Sequence, residues 1–470
     1  MSNTAAIVGG GVIGGGWAAR FLLNGWNVKV FDPDPESERK MGEVLANARI
    51  GLPMLYDCAL PDEGRLTRHK SISDAVRESA WVQESVTERL ELKHKVISEI
   101  QAENPNVAIG SSTSGFKPSE LQDNAVNPGR ILVAHPFNPV YLLPLVELVP
   151  SRSTSDHAIE TAKRILSSIG LSPLLVHQEI DAHIADRFLE AVWREALWLV
   201  KDGIATTREI DDAIRYGFGI RWAQMGLFET YRVAGGEMGM RHFMSQFGPA
   251  LKWPWTKLMD VPELTDELVN MIAEQSDRQS GHVSIRELER KRDRNLIAIM
   301  RALKQQGTAA GRLVKEHQKR MRPQLASAKP IISTRRTIPC DWTDINGHMN
   351  EGRYGQIFSD AAEEIMAFIG ADDDYIAAGM SYFTVETTIR YINETHAGEM
   401  VEVHTLVTQG EGKKLRCFHE LKRMENNDLL ATCDQMMLHV SLTTRRTCTP
   451  ADHVREKVEE LAALHAEDIS

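Results

Sequence analysis

Ala5-Ala-Ile-Val-Gly-Gly-Gly-Val-Ile-Gly14, followed by Asp32, is the stretch that decides the fold. An apolar run feeds a glycine turn and then a helix-compatible segment. Gly9, Gly11 and Gly14 occupy the three positions of a GxGxxG pattern. The first permits a tight turn, the second lets backbone approach a pyrophosphate, and the third lets the helix pack close to the strand. Gly10, Val12, Ile13 and Gly15 complete the turn and the first residues of the helix, whose free N–H groups suit phosphate. A second strand, Trp26 to Phe31, ends at Asp32. A carboxylate there binds both ribose hydroxyls of NAD and repels the 2′-phosphate of NADP. The expectation is an α/β Rossmann domain that uses NAD.

The totals bound the rest. A chain of 470 residues predicts two or three domains. The net charge of −11 argues against a nucleic-acid surface. No apolar run is long enough to span a membrane. The apolar N-terminus lacks a basic region and already holds the glycine turn, so it does not read as a signal peptide. Cys58, Cys340, Cys417, Cys433 and Cys448 are scattered without CxxC spacing. They predict a reducing compartment, the cytoplasm, and no metal site.

Three segments follow. Residues 1–180 alternate strand-like and helix-like stretches, as a parallel doubly wound sheet requires. Trp81 to Glu88 reads as a strand feeding a helix from Leu90; Val107 to Gly110 and Ile131 to Ala134 read as further strands. Residues 181–320 read as an all-helical substrate and dimerisation domain. Trp193, Trp198, Trp222, Trp253 and Trp255 fall there. A basic, proline-bearing stretch (Arg322, Pro323, Lys329, Pro330) predicts a linker over 321–335. From 336 to 470 one helix, near Arg353 to Ile369, precedes alternating strands: Val401 to Val407, Leu415 to Leu421, and Leu430 to Leu438. One helix wrapped by an antiparallel sheet predicts a C-terminal α+β domain.

Ala134-His-Pro-Phe-Asn-Pro-Val140 follows a predicted strand, and Glu147 lies beyond it. A histidine ending a strand beside the cofactor crevice is placed for proton transfer, and a carboxylate can fix its tautomer. These residues, the glycine turn, Glu84 and Glu88, and Ser111-Ser-Thr-Ser-Gly115 resemble the 3-hydroxyacyl-CoA dehydrogenase family over the first 320 residues or so. The resemblance implies His135 as general base on a 3-hydroxyl, Glu147 as its orienting acid and Ser114 as a hydrogen-bond partner of the substrate oxygen. It implies cofactor contacts at Glu88 and Lys93.

The chain departs from that family twice. It reads Ser112-Thr-Ser-Gly115 where the family has Asn-Thr-Ser-Ser, and Asp186 stands at the family's active-site asparagine. An amide donates to a substrate carbonyl, whereas an ionised aspartate only accepts. A cationic substrate would offset the charge, and tryptophan faces bind quaternary ammonium groups. The arrangement is similar to the carnitine-oxidising branch of the family in its fused form. It implies L-carnitine, a 3-hydroxy acid with a trimethylammonium head, oxidised to 3-dehydrocarnitine, with Asp186 in substrate binding.

Cys340-Asp-Trp-Thr-Asp-Ile-Asn-Gly-His-Met-Asn350, then Tyr354, precedes the C-terminal helix. It resembles hotdog-fold acyl-CoA thioesterases of the 4-hydroxybenzoyl-CoA type. Asp344 matches their catalytic acid, and Gly347 with nearby N–H groups would polarise a thioester carbonyl. The resemblance implies hydrolysis of a short acyl-CoA such as betainyl-CoA, and a homodimer or higher homo-oligomer. The reading against these is a 3-hydroxyacyl-CoA or L-gulonate dehydrogenase with a non-catalytic hotdog domain. A nucleotide-binding structural protein without turnover is a further alternative, which the joint occurrence of His135, Glu147 and Ser114 opposes.

Overall fold

The computed structural model describes residues 3–234, 237, 239–248, 255–256, 263, 265–321 and 325–466. They form two compact units: residues 1–49 with 62–317, and residues 50–61 with 318–470.

In the first unit eight strands form one sheet: β1 (Thr4–Val8), β2 (Asn27–Phe31), β3 (Leu66–Arg68), β4 (Trp81–Glu84), β5 (Ile109–Ser111), β6 (Ile131–Pro136), β7 (Leu145–Val149) and β8 (Ser172–Leu175). Their order is β3-β2-β1-β4-β5-β6-β7-β8. Strands β1, β4, β5 and β6 are buried along their length, which is why they read as apolar runs rather than alternations. Helix Val12–Leu22 starts at Gly11, and a Cβ on Gly14 would run into the Gly9 carbonyl. One part of the expectation is corrected. The sheet is not all parallel, because β7 runs antiparallel to β6. The short segment between them has no room for a crossover helix, so the chain turns back.

The stretch from 185 is helical as expected, with Ala185–Lys201, Thr207–Ala213, Gly219–Ala234, Gly239–Phe247, Asp266–Ser280, Ile285–Gln306 and Ala309–Met321. Ser284 and Glu287 close a capping box on the longest of these. Trp193 and Trp255 are exposed, and Trp222 packs against Phe218 at 4.6 Å between centroids. Trp253, Arg322 and Pro323 lie outside the described residues.

The second unit carries an antiparallel sheet of β9 (Ile331–Thr337), β10 (Met380–Tyr391), β11 (Met400–Glu411), β12 (Lys414–Arg423), β13 (Leu429–Ser441) and β14 (Arg446–Thr447). The order is β10-β13-β12-β11-β9, with β14 beside β13. Helix Glu351–Phe368 buries Ile357, Phe358 and Ala361 in one core with Val401, Val403 and Leu421. A second helix, Asp452–Ala466, packs Val454, Val458 and Leu461 with Val407 and Leu415.

Here the expected linker is corrected: β9 begins at Ile331, inside the 321–335 stretch. Arg335 and Arg336 masked the strand by their charge. Arg336 is fully buried. Its guanidinium donates to Asp57 at 2.6 Å and Asp360 at 2.9 Å, and stacks on Trp342. Asp57 belongs to the same unit, since Leu52, Met54, Leu55 and Tyr56 bury themselves within it.

Candidate active site

The glycine turn builds the first part. Gly10 N–H donates to the Asp32 carboxylate, whose other oxygen accepts from Asp34 N–H at 2.7 Å. A Cβ on Gly9, at φ +100°, would meet Ser85 backbone, whereas one on Gly11 would meet nothing within 4 Å. The helix start therefore stands open, with no side-chain cap on its N–H groups. A cleft of about 550 Å³ runs over this turn, bordered by Gly9, Gly11, Asp32, Ser85 and Val86. An acid at the strand end and an uncovered helix N-terminus suit NAD.

Beside it lies a buried ion-pair network. Lys93 donates to Glu84 at 3.0 and 3.1 Å and to the Val86 carbonyl at 3.3 Å, and lies 3.3 Å from Glu88. With Lys93 and Glu84 both buried, the lysine acts on its surroundings by orienting these acids. Glu88 in turn accepts from the Thr113 hydroxyl and from Gly115 N–H at 3.2 Å. Burial pushes the Glu88 carboxyl up, but Thr113, Lys93 and Gly115 outweigh it and leave it below its ordinary value. The network thus fixes the 112–115 loop that carries Ser114.

The antiparallel return completes the constellation. It sets His135 and Glu147 directly opposite each other in register. His135 Nδ1 lies 3.2 Å from Glu147 Oε2, with Glu147 fully buried. The other carboxylate oxygen accepts from Ile184 and Ala185 N–H, each at 3.0 Å, at the start of helix Ala185–Lys201. Burial would raise the Glu147 carboxyl. His135 and the two N–H donors more than offset that and hold it below its ordinary value. An ionised Glu147 accepts from Nδ1–H, which selects the neutral tautomer whose Nε2 carries the lone pair. That nitrogen faces Ser114 Oγ at 3.2 Å and Asp186 Oδ2 at 3.5 Å. Asp186 sits in the first turn of the helix that Glu147 caps, which explains how it reaches the site. Its carboxyl is raised, chiefly by burial and also by Glu147, against His135.

Two residues here escaped the sequence reading. His183 is fully buried, its Nε2 lies 3.2 Å from the Thr113 carbonyl, and its ring packs 5.4 Å from that of His135. Burial holds its pKa low, so it is a neutral support for the base. Phe137 packs edge-on to His135 at 5.0 Å; its place in the His-Pro-Phe motif was the available signal.

In the second unit Asp344 stands in a tight turn. Its carboxylate accepts from Asn346 N–H at 2.8 Å, and mainly that bond keeps its pKa low. Gly347 takes φ +85°, and its N–H, expected to face a thioester, donates to the Asp344 carbonyl at 3.1 Å. Asn350 caps helix Glu351–Phe368 by accepting from Gly352 N–H. Tyr354 donates to the Asn393 carbonyl at 3.2 Å.

Comparison with known proteins adds independent findings. The model of the 3-hydroxyacyl-CoA dehydrogenase NAD binding domain matches residues 4–180, and that of its C-terminal domain residues 183–270. The thioesterase-like superfamily matches residues 338–458. A Ruegeria pomeroyi protein named L-carnitine dehydrogenase/betainyl-CoA thioesterase is 60% identical, covering 99% of this chain and 96% of its own length. One of the same name from Agrobacterium fabrum is 53% identical over 97% of this chain and 94% of its own. A Mesorhizobium japonicum protein named L-carnitine dehydrogenase is 58% identical, covering 71% of this chain and 93% of its own. Among solved structures, an NAD+ dependent dismutase, FHMPC 5-dehydrogenase, matches at TM-score 0.54 and 26% identity, covering 66% of this chain and 100% of that one.

Proposed function

The chain belongs to the family of L-carnitine dehydrogenase/betainyl-CoA thioesterases, and from that premise we propose how its residues divide two reactions. The first unit oxidises the 3-hydroxyl of L-carnitine to give 3-dehydrocarnitine. The observation that carries this is His135 held between Glu147 and Ser114 beside an NAD-type cleft.

NAD, held by the Gly9–Gly15 turn and Asp32, supplies when bound the acceptor for the hydrogen leaving C3. His135 Nε2 accepts the hydroxyl proton. Glu147 keeps the proton on Nδ1 and stabilises the imidazolium as it forms. Ser114 holds the substrate oxygen beside Nε2. Asp186 lends negative charge on the same side of the imidazole. The quaternary nitrogen of carnitine is two bonds from C3, so a carboxylate this close to the base is placed to meet the headgroup.

The second unit hydrolyses betainyl-CoA, with Asp344 as the ionised carboxylate that attacks the thioester or activates water. Strand β10 ends its sheet with Phe383, Val385 and Tyr391 exposed, an edge that supports pairing with a second copy as a homodimer. Among the described residues no helix is long and apolar enough to cross a membrane. Cysteines free of disulfides fit the cytoplasm.

Two single variants of the full-length protein test the division. His135→Ala should lower carnitine oxidation by roughly 10²–10⁴-fold with NAD affinity and CoA release unchanged. Asp344→Ala should abolish CoA release from betainyl-CoA and spare carnitine oxidation. Near-normal carnitine turnover in the first variant, or near-normal CoA release in the second, contradicts the assignment of that residue.

A further inference from the structure

Away from the dehydrogenase site, His348, Glu394 and His396 each offer a ligand atom, all within 4.8 Å of one another. His348 Nε2 lies 3.2 Å from Glu394 Oε2, and His396 Nε2 lies 3.7 Å from Glu394 Oε1. Backbone holds the two histidines in place. They pair as an antiparallel bridge, and Met349 N–H donates to the Thr395 carbonyl at 2.8 Å.

The protonation pattern is informative. His396 Nδ1 lies 3.1 Å from the Gly347 carbonyl. A carbonyl only accepts, so Nδ1 carries a proton. In the neutral ring Nε2 is then a lone pair, yet it faces a carboxylate oxygen, a second acceptor. With Nδ1 committed to the Gly347 carbonyl, Nε2 is the nitrogen placed to act as a ligand, 3.7 Å from Glu394 Oε1. A histidine that ligates metal through one nitrogen and donates its other N–H to a backbone carbonyl is the usual supporting arrangement.

The spacing fits a small ion. Bonds of roughly 2.0–2.2 Å in a tetrahedron separate neighbouring ligand atoms by roughly 3.3–3.6 Å. The separations from Glu394, 3.2 Å from Oε2 to His348 and 3.7 Å from Oε1 to His396, lie close to that spacing, and the set, all within 4.8 Å, would draw together slightly around an ion through one of the two oxygens. Two imidazoles and one carboxylate suit zinc and its neighbours rather than magnesium or calcium. The side chains are partly open to solvent, which leaves a fourth position for water.

We propose that His348, Glu394 and His396 form a site for a divalent transition-metal ion of the zinc type. It needs none of the cysteines on which the expectation of no metal rested. The ion ties the turn carrying Asp344, whose N–H donates to the His348 carbonyl at 2.9 Å, to the stretch from Glu394 to Glu399. Its role is to hold that turn, and its existence does not depend on which thioester the unit hydrolyses.

The test uses the full-length protein, stripped with a chelator and titrated with Zn²⁺ against a chromophoric competitor of micromolar affinity. Co²⁺ substitution reports the geometry. One ion per chain and a tetrahedral Co²⁺ spectrum are expected. His396→Gln and Glu394→Gln should each weaken binding by roughly tenfold or more, with unchanged melting of the metal-free protein, because both side chains are partly exposed. Failure of the wild-type protein to hold Zn²⁺ against the competitor overturns the proposal. So does binding by both variants equal to that of the wild type.

Discussion

Glu147→Gln isolates what the buried carboxylate does for the base. Glutamine keeps the shape, and its amide oxygen can still accept from His135 Nδ1–H. It removes the charge that steadies the imidazolium. The pair lies out of water, with side-chain exposures of 6% for His135 and 0% for Glu147, so solvent screens it little. A hydrogen bond to a charged partner contributes roughly 1.5–3 kcal/mol. If that contribution is made in the transition state, kcat should fall by roughly 10- to 200-fold. Ile184 and Ala185 N–H share the other oxygen in the wild type, so with the amide oxygen turned to His135 both face an NH2 that cannot accept, the helix start weakens and Tm falls. Steady-state kinetics with L-carnitine and NAD, alongside NAD binding by fluorescence, separate the effects, because Glu147 does not border the cofactor cleft. The wild-type carboxyl is held below its ordinary value. Its stabilisation is therefore present above the ordinary glutamate pKa and lost as pH falls through the folded value. The variant should lack that acid-side loss. Turnover within about twofold of wild type, with KM unchanged, would refute the role given to the pair.

Two further outcomes follow from single residues. Asp32→Ala should narrow the preference for NAD over NADP, measured as the ratio of kcat/KM values. Comparable efficiency of the wild type with both cofactors contradicts the reading of Asp32. Asp186→Asn should weaken L-carnitine by more than it weakens an uncharged 3-hydroxy acid, read from the two kcat/KM values. Equal losses would remove Asp186 as a charge selector.

The cofactor half was legible because its signals are local. A fully buried strand, three glycines and a strand-end acid occupy one short stretch, and the structure keeps each where the pattern put it. His135 was legible from its motif, but its partnership with Glu147 depends on a strand reversal that neither residue encodes. Strand β9 was hidden because Arg336 is buried against Asp57 and Asp360, acids distant in sequence. His183 carries no periodic signal. Its place depends on left-handed backbone at Ala182 and at His183 itself, φ +57° and +53°. The histidines at 348 and 396 are brought together by an isolated bridge between loops, which hydrophobic pattern does not reveal.

The central claim is that this site oxidises a 3-hydroxy acid with a cationic head. The most direct measurement is NADH formation by the full-length protein with NAD and, in turn, L-carnitine, D-carnitine, 3-hydroxybutyryl-CoA and L-gulonate. The account predicts that L-carnitine gives by far the highest kcat/KM, and that His135→Ala removes that activity. Equal or faster turnover of 3-hydroxybutyryl-CoA or L-gulonate would contradict it.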